Sequence, residues 1–255
     1  MNQKELKEFL DLKYEKYNTV EFIASDPVSV PHLFTKKEDI EIAAFLSATI
    51  AWGQRTSIIK NANRLIELMD MSPFDFIVNA NNDDFRYFKK FVHRTFNGDD
   101  CAYFLKSLSR IYREYGSMEH VFTEGFSQDN TIRSGIIHLR NTFFSIAHET
   151  RVEKHFSNPE KNSSCKRINL FLRWMVRNDH RGVDFGIWKN IPSSALLCPL
   201  DIHSGNVSRK LGLLSRTSND WQAVEEMTAN LRKLDIHDPV KYDFALFGLG
   251  IFEGF

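Results

Sequence analysis

The sequence predicts an all-α fold, and three observations lead to that prediction. Most runs of apolar residues recur at spacings of three and four, which is the period of a helix. Alternating strand patterns, and the two-residue turns that join hairpin strands, do not occur along the sequence. Capping residues precede several runs and glycines follow them. The 255 residues, 42% hydrophobic and 26% charged, have an ordinary globular composition.

Each helix is predicted from its apolar period and from the residues at its ends. The predicted helices cover, in order, residues 4–17, 36–50, 57–69, 72–80, 101–115, 118–125, 131–148, 165–176, 202–211, 221–234 and 238–250. The helix over 36–50 is apolar on most faces, so we expect it at the centre of a domain. Thr35 to Glu38 has the spacing of a capping box, and Asp99 or Asp100 is the expected cap of the fifth helix. The proline-containing stretch 25–31 indicates a linker.

Composition also limits the classes of protein that are possible. No apolar run is long enough to span a bilayer, and Met1 to Glu5 has no hydrophobic signal region, so we expect a cytoplasmic protein. Cys101, Cys165 and Cys198 are widely spaced and odd in number, which argues against a disulfide framework and a cysteine-ligated cluster. We therefore expect no cofactor and no metal. The sequence leaves the oligomeric state open, and a monomer is the simplest expectation.

Charge is unevenly distributed, although the net charge is zero. Residues 151–216 contain twelve Lys or Arg and five Asp or Glu, a net charge of +7. Residues 217–255 carry a net charge of −4, and residues 1–150 a net charge of −3. One basic segment on an otherwise acidic chain suggests a surface that faces nucleic-acid phosphates. The alternative is a solvated face that pairs with the acidic parts of the chain.

The stretch 198–213 organises the functional interpretation. Pro199 prevents a helix from running through it, and Asp201 is a good N-cap for a helix that Gly212 then ends. The carboxylate of Asp201 would therefore lie at the positive end of that helix. Taken alone, such an aspartate is most simply a cap.

The same stretch resembles a known family. Asp-x-His at 201–203, Val-Ser at 207–208 and Leu-Gly-Leu at 211–213 resemble the catalytic-aspartate segment of the helix-hairpin-helix DNA glycosylases of the endonuclease III type. The resemblance implies that Asp201 is the catalytic carboxylate and that His203 and Arg209 contact DNA. It departs from the family at Asn206, where a basic residue is usual. Many members carry a four-cysteine iron–sulfur loop near the C-terminus, but here no cysteine follows Cys198.

Residues 156–167 resemble the hairpin of that family, whose usual sequence is Gly-x-Gly-x-Lys at the start of a helix. Asn162 and Ser164 stand at the glycine positions and Lys166 at the lysine, which is the Schiff-base nucleophile of bifunctional members. The alternative for Lys166 is a solvated lysine at a helix start. The 34 residues between Lys166 and Asp201, more than is usual in the family, favour water over Lys166 as the nucleophile.

The hairpin also suggests an anion site. Ser163 or Ser164 is the expected cap of the following helix, and its free N–H groups together with Arg167 would bind a DNA phosphate. A second signature of the family, a helix end that carries glutamine toward DNA, resembles residues 46–48 followed by Gln54 and Arg55. Extra turn residues intrude before Gln54, and an ordinary polar turn residue is the alternative there.

The resemblance implies a two-lobed helical bundle. One lobe would cover about 36–150, and the other 1–35 with 151–255. The implied function is removal of a damaged base from duplex DNA, with lyase activity at abasic sites left open. A carboxylate stabilises the oxocarbenium-like state of that reaction, and the base is flipped into a pocket. The alternatives are a DNA- or RNA-binding protein that retains this fold without the reaction, and an all-α protein whose motif matches are accidental.

Overall fold

The computed structural model describes all residues from Met1 to Phe255, and the fold is helical throughout, without a β-strand. The all-α prediction is therefore confirmed. The chain divides into two compact units. We call Met1–Phe22 with Asn158–Phe255 the terminal unit, and Ile23–Ser157 the central unit. No helix combines the length and the apolar character that crossing a bilayer requires.

The central unit is a bundle of six α-helices and short 3-10 helices. Its α-helices are α2 (Lys37–Thr49), α3 (Arg55–Glu67), α4 (Pro73–Asn79), α5 (Gly98–Tyr115), α6 (Met118–Phe126) and α7 (Ile132–Phe143). Every residue of α2 from Ile40 to Thr49 is buried, which confirms its expected central position. The Phe45 ring on α2 packs against the rings of Phe104 and Phe143. Glu41, also buried on α2, accepts from the first N–H groups of α6.

The terminal unit contains α1 (Gln3–Tyr17), α8 (Lys166–Val176), α9 (Ile202–Lys210), α10 (Trp221–Arg232) and α11 (Tyr242–Phe252). Helix α11 packs against α1 and α9. Gly250 of α11 permits close approach to α9, because a Cβ there would lie 3.2 Å from the Cβ of His203. Helix α11 therefore packs closely against the first turn of α9.

Several expected helix ends are wrong. Lys36 occupies the N-cap position of α2 and no side chain caps that helix, so Thr35 forms no capping box. Asn97 caps α5, with Asp100 as the third residue of the helix rather than its cap. Helix α7 ends at Phe143, five residues early. Propensity and period place helices well, but tertiary contacts decide where each one stops.

The stretch 25–31 is not a linker. Pro27–Ser29 and Pro31–Leu33 are 3-10 helices that pack on α2, and Val28 and Val30 are fully buried. Residues 23–35 therefore belong to the central unit, whereas the expected lobes divided the chain near residue 36. At the other boundary, Arg140 donates to the Phe156 carbonyl, which holds residues 151–157 in the central unit as well.

Candidate active site

Asp201 is the N-cap of α9, as its sequence position predicts. Its Oδ1 accepts from Ser204 N at 2.9 Å, and the Ser204 hydroxyl accepts from Asp201 N at 2.9 Å. These reciprocal bonds form a capping box at the positive end of the helix. The carboxylate is therefore held in one orientation by the backbone, with its second oxygen directed elsewhere.

Lys166 is the first residue of α8, but the turn before it differs from the expected one. The N-cap is Cys165, whose φ of 49° is left-handed, and no side chain caps the helix. The cap assignment to Ser163 or Ser164 is therefore wrong. Asn162, at the first glycine position of the resemblance, has a φ of 58°. An asparagine tolerates that conformation better than most residues, so this position meets the backbone demand that glycine usually meets.

The two residues meet. Lys166 Nζ lies 2.9 Å from Asp201 Oδ2, and the two side chains keep 35% and 26% of their surface exposed. Burial raises the pKa of the Asp201 carboxyl. The Lys166 ammonium and the Ser204 N–H outweigh that effect, so this pKa lies below its usual value. An anionic carboxylate and an amine thus share a site that solvent reaches.

The long spacer does not separate them, because it folds back on α8. Phe185 N donates to the Trp174 carbonyl at 2.8 Å, and Trp188 N donates to the Met175 carbonyl at 2.8 Å. These bonds satisfy carbonyls at the C-terminal end of α8, where a helix has no partners of its own. Residues 178–197 therefore cover one end of α8, while its other end presents Lys166.

The spacer also contributes a buried carboxylate. Asp184 accepts from Arg173 at 3.2 Å and from Arg177 at 2.9 Å, and both arginine side chains are at most 3% exposed. Arg177 makes two further pairs, with Asp179 and Asp238, each at 2.9 Å. We refer to these residues, together with Asp243, as the buried ion network.

Asp243 of α11 pairs with Arg173, and both side chains are buried. Burial raises the pKa of the Asp243 carboxyl, Arg173 opposes the rise, and the Asp201 carboxylate adds to it, which leaves the pKa at about 6. The Asp243 carboxyl therefore responds to the charge of the candidate site.

The remaining predicted contacts of the terminal unit are distributed around the pair. Ser163, Ser164 and Arg167 are half-buried on either side of Lys166, and burial lowers the pKa of the Arg167 guanidinium to about 10. His203 is exposed on the first turn of α9. Arg209 donates to the Arg216 carbonyl at 2.7 Å and to the Thr217 carbonyl at 3.0 Å. The Arg209 guanidinium therefore has a structural role, because these bonds hold residues 216 and 217 against α9.

Gln54 and Arg55 lie in the central unit. Gln54 is the exposed N-cap residue of α3, and Arg55 is the first residue of that helix, two positions earlier than expected. The preceding turn is anchored by His93, a residue whose role the sequence did not reveal. His93 Nε2 lies 3.1 Å from the Trp52 carbonyl, and its Nδ1 lies 2.9 Å from Asn61 Nδ2. Burial lowers the pKa of His93, which favours the neutral ring that these two bonds require.

Not all of the positive charge of the segment 151–216 is available to a phosphate. Arg173 and Arg177 are buried in the ion network, and Arg181 pairs with Glu15 at 2.7 Å. Arg216 pairs with Asp220 at 2.7 Å. Much of the positive charge is therefore neutralised by acidic residues of the same unit. No group of three or more His, Cys, Asp or Glu side chains is arranged to hold a metal ion.

Comparison with known families covers most of the chain. A family model described as a protein of unknown function, DUF2400, matches residues 26–252. The chain belongs to the DUF2400 family. This DUF2400 protein matches no curated protein and no solved structure. The match begins after α1 and includes the hairpin, the Asp201 helix and α11.

Proposed function

We propose that this DUF2400 protein is a DNA glycosylase that cleaves the N-glycosidic bond of a damaged base, with Asp201 as the carboxylate and Lys166 as the nucleophile. One observation carries the proposal: the 2.9 Å approach of Lys166 Nζ to Asp201 Oδ2 at the starts of two helices, in a solvent-accessible position. These are the two residues that the resemblance assigns to the reaction. Thirty-four intervening residues do not keep them apart.

The pair suits that chemistry. An ammonium has no free electron pair, so Lys166 must first lose a proton, and Asp201 Oδ2 is within hydrogen-bonding distance to accept it. The amine nitrogen then bonds to C1′ of the sugar as the bond from C1′ to the base breaks, and its electron pair leaves with the base. The departing base takes the proton from Asp201, and the carboxylate so restored stabilises the positive charge on the sugar. The attached nitrogen then gives a proton to the ring oxygen as the bond from C1′ to that oxygen breaks, which leaves a Schiff base and permits strand cleavage.

A second candidate function is DNA or RNA binding without reaction. The observation that favours it is that Asp201 has two structural roles: it caps α9, and it neutralises Lys166. Neither role involves a substrate. In that case Lys166 is a structural partner of a structural aspartate. The two candidates differ in whether a covalent adduct with DNA can form.

Borohydride trapping tests the proposal. Wild-type protein incubated with duplexes that contain an abasic site or a damaged base should give a reduced covalent adduct, and Lys166→Ala should give none. Lys161→Ala is the matched control, because Lys161 is an exposed lysine of the same hairpin; it should trap as the wild type does. If Lys166→Ala traps as much DNA as the wild type, Lys166 is not the nucleophile. If the wild type releases a base from none of the damaged duplexes, the proposed activity is wrong.

Asp201→Asn tests the carboxylate. Asparagine is a competent N-cap, so this change removes the charge and keeps the helix start. We expect base release to slow by about 10²-fold or more, in the range found when one stabilising group is removed. A fully active Asp201→Asn variant would show that Asp201 is only a cap. Base release by Lys166→Ala without strand cleavage would instead make water the nucleophile.

A further inference from the structure

One short segment of the terminal unit, residues 216–221, contacts both halves of the candidate site. On the hairpin side, Trp221 N donates to the Asn162 carbonyl at 3.2 Å. The neighbouring Asp220 forms an isolated antiparallel bridge with Ser163. The start of α10 is therefore joined to the turn that ends at Lys166.

On the other side, the same segment reaches the backbone of Asp201. Asn219 Nδ2 donates to the Asp201 carbonyl oxygen at 3.0 Å, and Asn219 Oδ1 accepts from Arg209 Nη2 at 2.6 Å. These partners determine the orientation of the amide, because a flipped amide would place oxygen against oxygen and nitrogen against nitrogen. The Asn219 side chain is therefore a specific connection between Asp201 and Arg209.

Two features of α9 fit this connection. Arg209 donates to the carbonyls of Arg216 and Thr217, so it holds the segment against the helix. Gly205 provides the space, since a Cβ at that position would lie 2.9 Å from Asn219 Oδ1 and 3.0 Å from Arg209 Nη1. A side chain at position 205 would therefore push the amide away from the helix.

We infer that Asn219 is a positioning residue, which holds the Asp201 main chain so that its carboxylate stays opposite Lys166. Asn219 contacts neither Lys166 nor the carboxylate oxygens in the bonds described, and it acts through the Asp201 carbonyl. Its effect on catalysis rests on the proposed function, whereas its effect on the Lys166–Asp201 pair does not. A displacement of about 1 Å between reacting groups is enough to lower a rate about 100-fold.

The test that needs no activity is a carboxyl ¹³C NMR titration of Asp201 in the protein without DNA, with the resonance assigned by its loss in Asp201→Asn. In the wild type burial raises the pKa of the Asp201 carboxyl, but this pKa still lies below its usual value. The Lys166 ammonium is the largest of the effects that lower it. In Asn219→Ala we expect it to move up toward 3.8, the ordinary aspartate value. Gly205→Ala should move it in the same direction by a smaller amount, because it displaces the amide without deleting it.

Asn230→Ala is the matched control. Asn230 Nδ2 also donates to a backbone carbonyl, that of Leu213, at 2.9 Å, so the variant loses a comparable bond elsewhere in the unit. It should lower the melting temperature about as much as Asn219→Ala and leave the Asp201 titration unchanged. Melting curves at each pH confirm that every titration point reports the folded protein.

The kinetic arm uses an abasic-site duplex. Asn219→Ala should lower the single-turnover rate of strand cleavage about 10- to 100-fold, with the affinity for DNA unchanged within about twofold. Asn230→Ala should change neither the cleavage rate nor the affinity. An Asp201 titration in Asn219→Ala identical to the wild type overturns the inference. If that titration moves but the wild type neither cleaves the abasic-site duplex nor releases a base from the damaged duplexes of the trapping experiment, the proposed function fails and the positioning of Asp201 by Asn219 stands.

Discussion

Two sets of ion pairs lie along α8, and they differ in their access to water. Lys166 and Arg173 are seven residues apart, which places them on one side of the helix, and Arg177 is the C-cap residue that follows it. Lys166 and Asp201 keep 35% and 26% of their side-chain surfaces exposed, whereas the Arg177 side chain is 1% exposed. The ion pairs are therefore accessible to solvent at one end of α8 and buried at the other.

This difference separates the requirements of folding from those of function. A pair in contact with water adds little to stability, since solvent screens it and its side chains must be ordered. A charge sealed in the interior is costly to leave without its partner. We therefore expect changes in the buried ion network to act on the fold, and changes at Lys166 and Asp201 to act on the reaction. The following predictions test that division, from the largest expected effect to the smallest.

Arg177→Met should destabilise the protein most. Arg177 pairs with Asp179, Asp184 and Asp238, and its Nη2 donates to the Tyr14 hydroxyl at 3.0 Å. Its removal takes the ion-pair partner from Asp179 and Asp238 and leaves Asp184 with Arg173 alone, so the free energy of unfolding should fall by about 3–5 kcal/mol. Chemical denaturation measures the loss.

Arg181→Met is the control for that prediction. Arg181 pairs with Glu15 at the surface, where the two side chains are 32% and 58% exposed. The expected loss is less than about 1 kcal/mol. A similar loss in the two variants would mean that burial does not distinguish the two kinds of pair.

The pH dependence of stability should reveal Asp243. Its pKa is raised to about 6 in the folded protein, so its contribution to stability is complete below the unfolded value of 3.8 and is lost as the pH rises through 6. Asparagine resembles the protonated carboxyl and does not titrate. The wild type should therefore lose on the order of 2 kcal/mol relative to Asp243→Asn between pH 4 and pH 7.

Asp129→Asn provides the comparison for that titration. The pKa of Asp129 is lowered by its bonds to Ser134 and Thr131, so its carboxyl is ionised above about pH 5 in both the folded and the unfolded state. The difference between this variant and the wild type should stay constant from about pH 5 to pH 7. A constant difference for Asp243→Asn as well would contradict the raised pKa.

The cap at α9 should give an intermediate effect. Asp201→Ala removes the acceptor for Ser204 N and should cost about 0.5–2 kcal/mol, whereas Asp201→Asn should cost a few tenths at most. Thermal unfolding of both variants measures the difference. If the two variants melt together below the wild type, the carboxylate stabilises the fold by its charge rather than by capping.

Lys166→Met should have the smallest effect on stability. The ion pair is partly exposed, and methionine keeps most of the apolar stem, so the free energy of unfolding should change by less than about 1 kcal/mol. Paired with the loss of trapping expected for Lys166→Ala, this outcome would place the lysine in the reaction and not in the core. A loss above about 2 kcal/mol would make it structural.

The sequence allowed the helices and the Asp201 cap to be predicted because both depend on local rules. Apolar period and capping chemistry involve residues within one or two turns of each other. The left-handed Cys165 could not be foreseen, since a non-glycine residue takes that conformation only where the surrounding fold compensates for the strain. The Ser163 and Ser164 caps were wrong for that reason.

Contacts between distant segments were also beyond local rules. Asp184 lies in a stretch with no strong helical period, and only the reversal of the chain after α8 brings it to Arg173 and Arg177. Asn219 lies 18 residues beyond Asp201, in a polar loop whose sequence has no feature that distinguishes it from other polar loops. The one signal for the buried ion network in the sequence is the pair Arg173 and Arg177 among the apolar residues at the end of α8.

The terminal unit is assembled from the two ends of the chain, and this sets an order of events during synthesis. Tyr14 of α1 donates to Asp179, 165 residues later, and Asp11 accepts from Tyr242, 231 residues later. During synthesis α1 emerges before any of these partners, and the whole central unit emerges between them. That unit has its own buried core, and domains generally fold as units during synthesis. The Lys166–Asp201 pair therefore comes together late, and α1 can close the unit only after α11 has emerged.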